Sequence, residues 1–216
     1  MSDDILYRVI TEADVDEVIR LMDEDFFKEE IIAKSLGFET PRETKAYYDT
    51  MMGVFVDSKL SVVAVDSSQA KIVGVILNLV STPDNPNEFS FDTDDKDTSK
   101  LATMDKVYDP VYDDVDFYQL YDTSILVANR VLCVSKSHRR KGIAMGLIRS
   151  TLEKIRSQGI PCYVVEATSA YTRIMMERLN FDKISEKPYT ELLVNGQQIV
   201  TDTSVHKSVS LHAKRL

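Results

Sequence analysis

From Ser124 to Glu166 the chain passes through an apolar β-branched run, a basic turn, an amphipathic run and a second apolar run. Their periods predict a strand from Ser124 to Val134, a turn from Ser135 to Lys141, a helix from Gly142 to Gln158 and a strand from Cys162 to Glu166. This order commits the chain to layers of helix on sheet. The rest reads the same way. Ile5 to Ile10 is a strand, and Thr11 with Asp14 forms a capping-box signature for a helix over about 12–28. A break follows near Lys28-Glu29-Glu30, then a short helix ending at Gly37. Pro41 opens a further helix to about Val56. Leu60 to Asp66 and Lys71 to Leu79 form a hairpin across Ser67-Ser68-Gln69-Ala70.

Residues 81–98 read as a long polar loop, and Leu101 to about Tyr121 as a helix interrupted at Pro110. A helix from about Thr168 to Leu179 is followed by strands near Phe181–Lys187, Glu191–Val194 and Val205–Ala213. The expected fold is a mixed α/β sheet with helices on both faces, in one domain spanning residues 1–216. At 216 residues the chain is long enough to build its core without a disulfide or metal staple.

Charge narrows the function. The formal charge of −9 disfavours nucleic acid and anionic membranes as partners and mildly favours cationic ligands. Two acidic clusters, Asp92-Thr93-Asp94-Asp95-Lys96-Asp97 and Asp113-Asp114-Val115-Asp116, read either as solvated faces or as a funnel for an amine. Cys133 and Cys162 lie inside apolar runs and read as buried thiols. Two separated cysteines and three scattered histidines offer no metal-ligand spacing, so no metal is expected. The acidic start lacks the order of a signal peptide, and the longest apolar stretch, Ile72 to Val80, is too short for a bilayer. A cytoplasmic protein, monomeric or weakly dimeric, is expected.

Against this acidic background His138-Arg139-Arg140-Lys141 stands out. It runs into Gly142-Ile143-Ala144, where a helix begins. A helix N-terminus offers unpaired N–H groups and partial positive charge, and so suits phosphate. Gly142 and Ala144 keep side chains out of the way, and Arg139, Arg140 and Lys141 add charged donors. Neither a Walker loop nor a dinucleotide fingerprint is present.

The stretch from Asn129 to Phe181 resembles the core of the GNAT acyltransferases. Their Arg/Gln-x-x-Gly-x-Gly/Ala pattern is matched by Arg139, Gly142 and Ala144, and Leu179-Asn180-Phe181 is similar to their later helix end. The resemblance implies a coenzyme A-binding core over about residues 125–187. There the backbone of Leu132, Cys133 and Val134, splayed by a bulge, pairs with the pantetheine of acetyl-CoA. The pyrophosphate lies on residues 139–144, that is Arg139, Arg140, Lys141, Gly142, Ile143 and Ala144. Where the family often has Asn-x-x-Ala-x-x-x-Tyr, this chain has Ser169, Thr172 and Met176. The family's common acid is therefore replaced by Met176, and Asn180 stands for a glycine.

Within that family the chain resembles the insect-type arylalkylamine N-acetyltransferases, through Phe26-Phe27-Lys28-Glu29-Glu30-Ile31, the insert 81–121, Ala167 to Tyr171, and His206 on a final strand. Ile31 stands where a proline is usual. The resemblance implies acetyl transfer to a small primary amine, with Glu30 as general base and Glu29 as the fallback. Ser169 contacts pantetheine, Thr172 is a candidate proton relay, and a backbone N–H near Val134 serves the oxyanion. Tyr171 and His206 are further lining candidates, and Met51, Met52 and Phe55 are either core or an apolar acceptor pocket. Two alternatives stand beside the arylalkylamine reading: a polyamine or other aliphatic amine as acceptor, and a coenzyme A-binding module without catalysis.

Overall fold

The computed structural model describes residues 4–85 and 95–216. Most of the acidic cluster at 92–97 and part of the 81–98 loop lie outside them. Seven strands form one sheet in the order β1-β2-β3-β4-β5-β9-β6. They are β1 (Ile5–Val9), β2 (Val62–Asp66), β3 (Lys71–Ser81), β4 (Leu126–Val134), β5 (Cys162–Ala167), β6 (Asp182–Pro188) and β9 (Ser208–Arg215). A two-residue ribbon, β7 (Leu193–Val194) with β8 (Gln197–Gln198), stands apart. Every neighbouring pair in the large sheet is antiparallel except β4 with β5.

That parallel pair requires a crossover, and α6 (Ile143–Ser157) supplies it. The buried side of α6 carries Ile143, Leu147, Ile148, Thr151, Leu152 and Ile155 at helical spacing, and packs on β1 to β4. Each of these aliphatic side chains contributes roughly 1.5–3 kcal/mol on burial. Beside α6 lies α7 (Ala170–Arg178), with Met176 and Phe181 in the same core cluster. The opposite face is covered by α1 (Val15–Leu21) and α3 (Lys45–Asp57), whose Val18, Leu21, Tyr48, Met51 and Phe55 meet Val75, Leu77 and Val131. Farther along that face, α2 (Ile31–Leu36) and α4 (Ser99–Tyr112) close a third cluster with α5 (Phe117–Tyr121). Helices therefore lie on both faces, as expected.

Three local expectations are corrected. The helix after Pro41 starts at Lys45, with residues 41–44 in turns. Pro110 sits in the last turn of α4 and does not interrupt it; the break comes at Asp113 and Asp114, the latter at φ +63°. The Pro110 ring removes the N–H that would bond the carbonyl four residues earlier, and the helix continues for only two residues beyond it. His206 precedes the final strand, which begins at Ser208. The Thr11/Asp14 capping box is present, although it opens a 3₁₀ turn that leads into α1. That helix ends in a π turn at Met22–Phe26, and Gly37 closes α2 in the left-handed conformation.

Candidate active site

The ladder between β3 and β4 slips by one residue. Leu77 faces Val131 while Asn78 faces Asn129, so Arg130 is the extra residue of a bulge. The bulge reverses the alternation of β4: Ala128 before it and Val131 and Cys133 after it pack toward the α3 side. On its other edge β4 pairs with β5 only from Val127 to Asn129, against Tyr163 to Val165. Beyond that the two strands separate. Residues 130–134 are left without a strand partner on that edge, which frees backbone N–H and C=O groups for a ligand.

The gap opens into a cleft of about 370 Å³. One wall carries Leu132, Cys133 and Val134, with Arg139 and Ala144 at the start of the crossover helix. The facing wall carries Thr168, Ser169 and Thr172, and Glu29 and Glu30 close one end. Eight of the sequence-predicted residues thus share one cavity: Glu30, Leu132, Cys133, Val134, Arg139, Ala144, Ser169 and Thr172. Arg140, Lys141 and Gly142 are exposed just outside it, and Ile143 turns its side chain into the core. Gly142 takes φ +82° and ψ 3°, a conformation that costs other residues about 1–2 kcal/mol.

Arg139 is tied into the framework beside the cleft. Its guanidinium donates to the carbonyls of Val134 (3.1 Å) and Asp25 (3.2 Å) and lies within 4 Å of the Asp25 and Glu29 carboxylates. It ties the turn before α6 to the π turn after α1, because the nearest anions and carbonyls are the protein's own.

Glu30 is the N-cap of α2. Its Oε2 accepts hydrogen bonds from the backbone N–H of Ile32 (3.0 Å) and Ala33 (2.8 Å). The other oxygen, Oε1, is buried and has no hydrogen-bond partner among the described residues. Burial raises the pKa of the carboxyl, and the N–H of Ala33 with the Thr168 side chain opposes this only in part. Glu29, the fallback, is exposed and held down by Lys136. A carboxylate kept from solvent inside a cleft is suited to taking up a proton.

Across the cleft, Ser169 caps α7 by accepting from the Thr172 N–H (3.0 Å), and the two hydroxyls are 2.9 Å apart. Tyr171 stacks edge-on against His206 at 5.5 Å between ring centres, and both line the cleft. His206 Nδ1 accepts from the Ala170 N–H (3.1 Å), so a neutral His206 carries its proton on Nε2. Met176 is fully buried in the core. Burial pushes the Cys133 thiol up to about 12, so it is no thiolate at neutral pH.

A side chamber of about 90 Å³ adjoins the cleft and shares Phe26, Tyr108, Arg130 and Glu166 with it. Met51 lines this chamber, whereas Met52 and Phe55 belong to the core. Arg130, Glu166, Asp105, Tyr47 and Tyr108 were missed from sequence, although an arginine and a glutamate inside apolar strands were a signal. The acidic loops do not line either cavity among the described residues. Asp116 caps α5, and Asp97 pairs with Arg42.

A separating parallel pair in a seven-stranded, otherwise antiparallel sheet, with a helix N-terminus at the gap, is a specific arrangement. Residues 118–190 match the model of the FR47-like protein family. The arylalkylamine N-acetyltransferase 2 of Aedes aegypti superposes with a TM-score of 0.83 at 22% identity, over 99% of both chains. The fold is that of the GNAT acyltransferases. The polyamine N-acetyltransferase of Drosophila melanogaster, which forms N-acetylagmatine, shares this GNAT fold with a TM-score of 0.79 at 17% identity, over 99% of this chain and 100% of its own. A more distant GNAT structure, Arabidopsis thaliana NAA60 in complex with acetyl-CoA, matches with a TM-score of 0.57 at 15% identity over 98% of each chain. No helix among the described residues is long and apolar enough to cross a membrane.

Proposed function

We propose that this chain is an N-acetyltransferase that moves the acetyl group of acetyl-CoA to a small primary amine, directly and within a ternary complex. The observation that carries the proposal is the shared cleft, where the unpaired edge of β4 faces a buried carboxylate with a free oxygen. In this reading the backbone of Leu132, Cys133 and Val134 holds pantetheine, together with Ser169. The helix start at Gly142, Ile143 and Ala144 holds the pyrophosphate, with Arg140 and Lys141 as exposed cations beside it.

An alkylamine has a pKa near that of lysine, about 10.4, so it arrives protonated. Glu30 accepts that proton, directly or through one water, and leaves a lone pair to attack the thioester carbonyl. A backbone N–H beside Val134 stabilises the oxyanion. The tetrahedral adduct then collapses, breaking the C–S bond, and the proton still held by its nitrogen passes through the Thr172 hydroxyl to the departing thiolate. The protonated state of Cys133 argues against an acyl-enzyme on that thiol.

The acceptor's body lies in the side chamber. Its aromatic walls, Phe26, Phe27, Tyr47 and Tyr108, suit an arylalkylamine. A second reading, an aliphatic amine with another charge, is favoured by the carboxylates of Asp105 and Glu166 in the same chamber. Free-thiol release from acetyl-CoA across a panel of amines tests the proposal, with Glu30→Gln beside the wild type. Turnover lost in the variant while acetyl-CoA still binds is the expected result. Binding of acetyl-CoA without turnover of any amine would leave a coenzyme A-binding module in its place.

A further inference from the structure

The side chamber is an unusual place for its charges. Arg130, projecting from the β4 bulge, is deeply enclosed yet makes one hydrogen bond among the described residues, a long one of 3.4 Å to Glu166 Oε1. The same oxygen accepts from the Tyr112 hydroxyl. Glu166 therefore uses up the single guanidinium. Asp105 stands at the rim, exposed to solvent but ringed by protein, and accepts no hydrogen bond from a described residue. Burial pushes its carboxyl up to about 7; Arg130 pulls against this, and Glu166 and Asp109 add to it. A cation placed against Asp105 favours its ionised form, and the chamber then holds two carboxylates against one arginine, an imbalance that the cation offsets.

The walls point the same way. Phe26, Phe27, Tyr47 and Tyr108 present aromatic rings, whose faces attract cations. Tyr47 and Tyr108 are half-buried, and their hydroxyls have no hydrogen-bond partner among the described residues. Polar groups with unused capacity lining a cavity mark a place where a polar ligand group completes the network. A neutral ring would cover Asp105 without compensating its charge. A group with several N–H donors and a positive charge satisfies carboxylates, hydroxyls and rings together.

Resting on the transfer reading above, we infer that the chamber reads the far end of the acceptor, with Asp105 selecting amines that carry a second positive charge there, an ammonium or a guanidinium. The amine being acetylated faces Glu30 in the main cleft, and the second cation sits between Asp105 and the aromatic walls. Asp105 is thus a specificity residue, distinct from the groups that move protons.

Steady-state thiol release tests this with four acceptors: pentane-1,5-diamine, 4-aminobutylguanidine, pentylamine and 4-(2-aminoethyl)phenol. The wild type is expected to favour the two dications over pentylamine by about tenfold or more in kcat/KM, as close charge pairs in enclosed sites do. In Asp105→Asn that ratio should fall to about one. Pentylamine or the phenol matching the dications in the wild type would overturn the inference, as would an unchanged ratio in the variant. Should Asp105→Asn fail to fold, the wild-type ratio and its decline between low and high salt decide the matter. Turnover of amines without charge selection refutes this inference alone. Acetyl-CoA binding with no turnover of any amine refutes the transfer reading, and this one with it.

Discussion

Glu30 has two roles that pull its stability effect in opposite directions, and two substitutions separate them. As N-cap it accepts two backbone N–H bonds, and α2 buries Ile32 and Ala33 behind that cap. Removing the cap in Glu30→Ala should cost about 1 kcal/mol, within the usual span of roughly 0.5–2. For a protein of this length that is a fall in Tm of about 2–4 °C. As a buried acid Glu30 destabilises the fold once ionised, because its pKa is raised from the ordinary 4.5 and Oε1 lacks a partner. Between the unfolded and the raised folded pKa the native state holds more protons than the unfolded chain. Stability contributed by this group is therefore full below 4.5, falls as pH rises through the window, and stays lowered above it. Glu30→Gln keeps a capping carbonyl oxygen and removes the charge. It should match the wild type at pH 4 and melt higher at pH 8, while Glu30→Ala melts lower at pH 4 and recovers part of that loss at pH 8. Thermal unfolding of the three proteins without ligand, at several pH values, measures this, and the difference between variants cancels every other titrating group. Thiol release should fall about 10²–10⁴-fold in Glu30→Gln. If Glu30→Gln melts below the wild type at pH 8, the ionised carboxylate is stabilising the helix end and the reasoning from burial is wrong.

Other substitutions separate binding from framework. Arg139→Ala should lower Tm by several degrees even without acetyl-CoA, since it removes two hydrogen bonds worth about 1 kcal/mol each; Arg140→Ala should leave Tm within about 1 °C and raise only the KM for acetyl-CoA. Gly142→Ala should cost about 1–2 kcal/mol in urea unfolding through its positive φ, although a methyl group there meets open space. Thr172→Val keeps the backbone bond to Ser169 and removes the hydroxyl, so kcat should fall at least about tenfold with the KM for acetyl-CoA nearly unchanged. An unchanged kcat would take the proton relay away from Thr172.

The sequence made the crossover unit legible because its signals are local. A β-branched run, a basic turn and a helix of period 3.6 announce β4 and α6, and the ends agree with the structure to within two residues. Glu30 was singled out through its neighbours in a resembling motif, and the structure places its carboxylate in the cleft with one oxygen buried. What could not be read locally was direction. Arg139 precedes a helix and reads as a phosphate ligand, but its hydrogen bond to the Asp25 carbonyl, 114 positions earlier, has no local signal. The acidic loops left two readings open, solvated faces or a funnel, because dense charge in sequence does not say what it faces. The carboxylates in the chamber come instead from a helix and a strand: Asp105 from α4, Glu166 from β5.

The bulge at Arg130 joins these facts. One extra residue in β4 shifts the faces of the strand so that Val131 and Cys133 enter the core, and it comes just where pairing with β5 ends. The same residue is the arginine that anchors Glu166 at the junction of cleft and chamber. A strand without the bulge would keep Arg130 on the face of Ala128 and would put Leu132 and Val134 where Val131 and Cys133 now pack. The unpaired edge of β4 and the side chamber are thus set by a single irregularity, so deletion of Arg130 should disturb both at once. Arg130→Met keeps the chain length and so the bulge, and should alter acceptor choice while leaving the affinity for acetyl-CoA intact. Equal losses in both substitutions would mean that the arginine's charge, and not the extra residue, holds the strand in register.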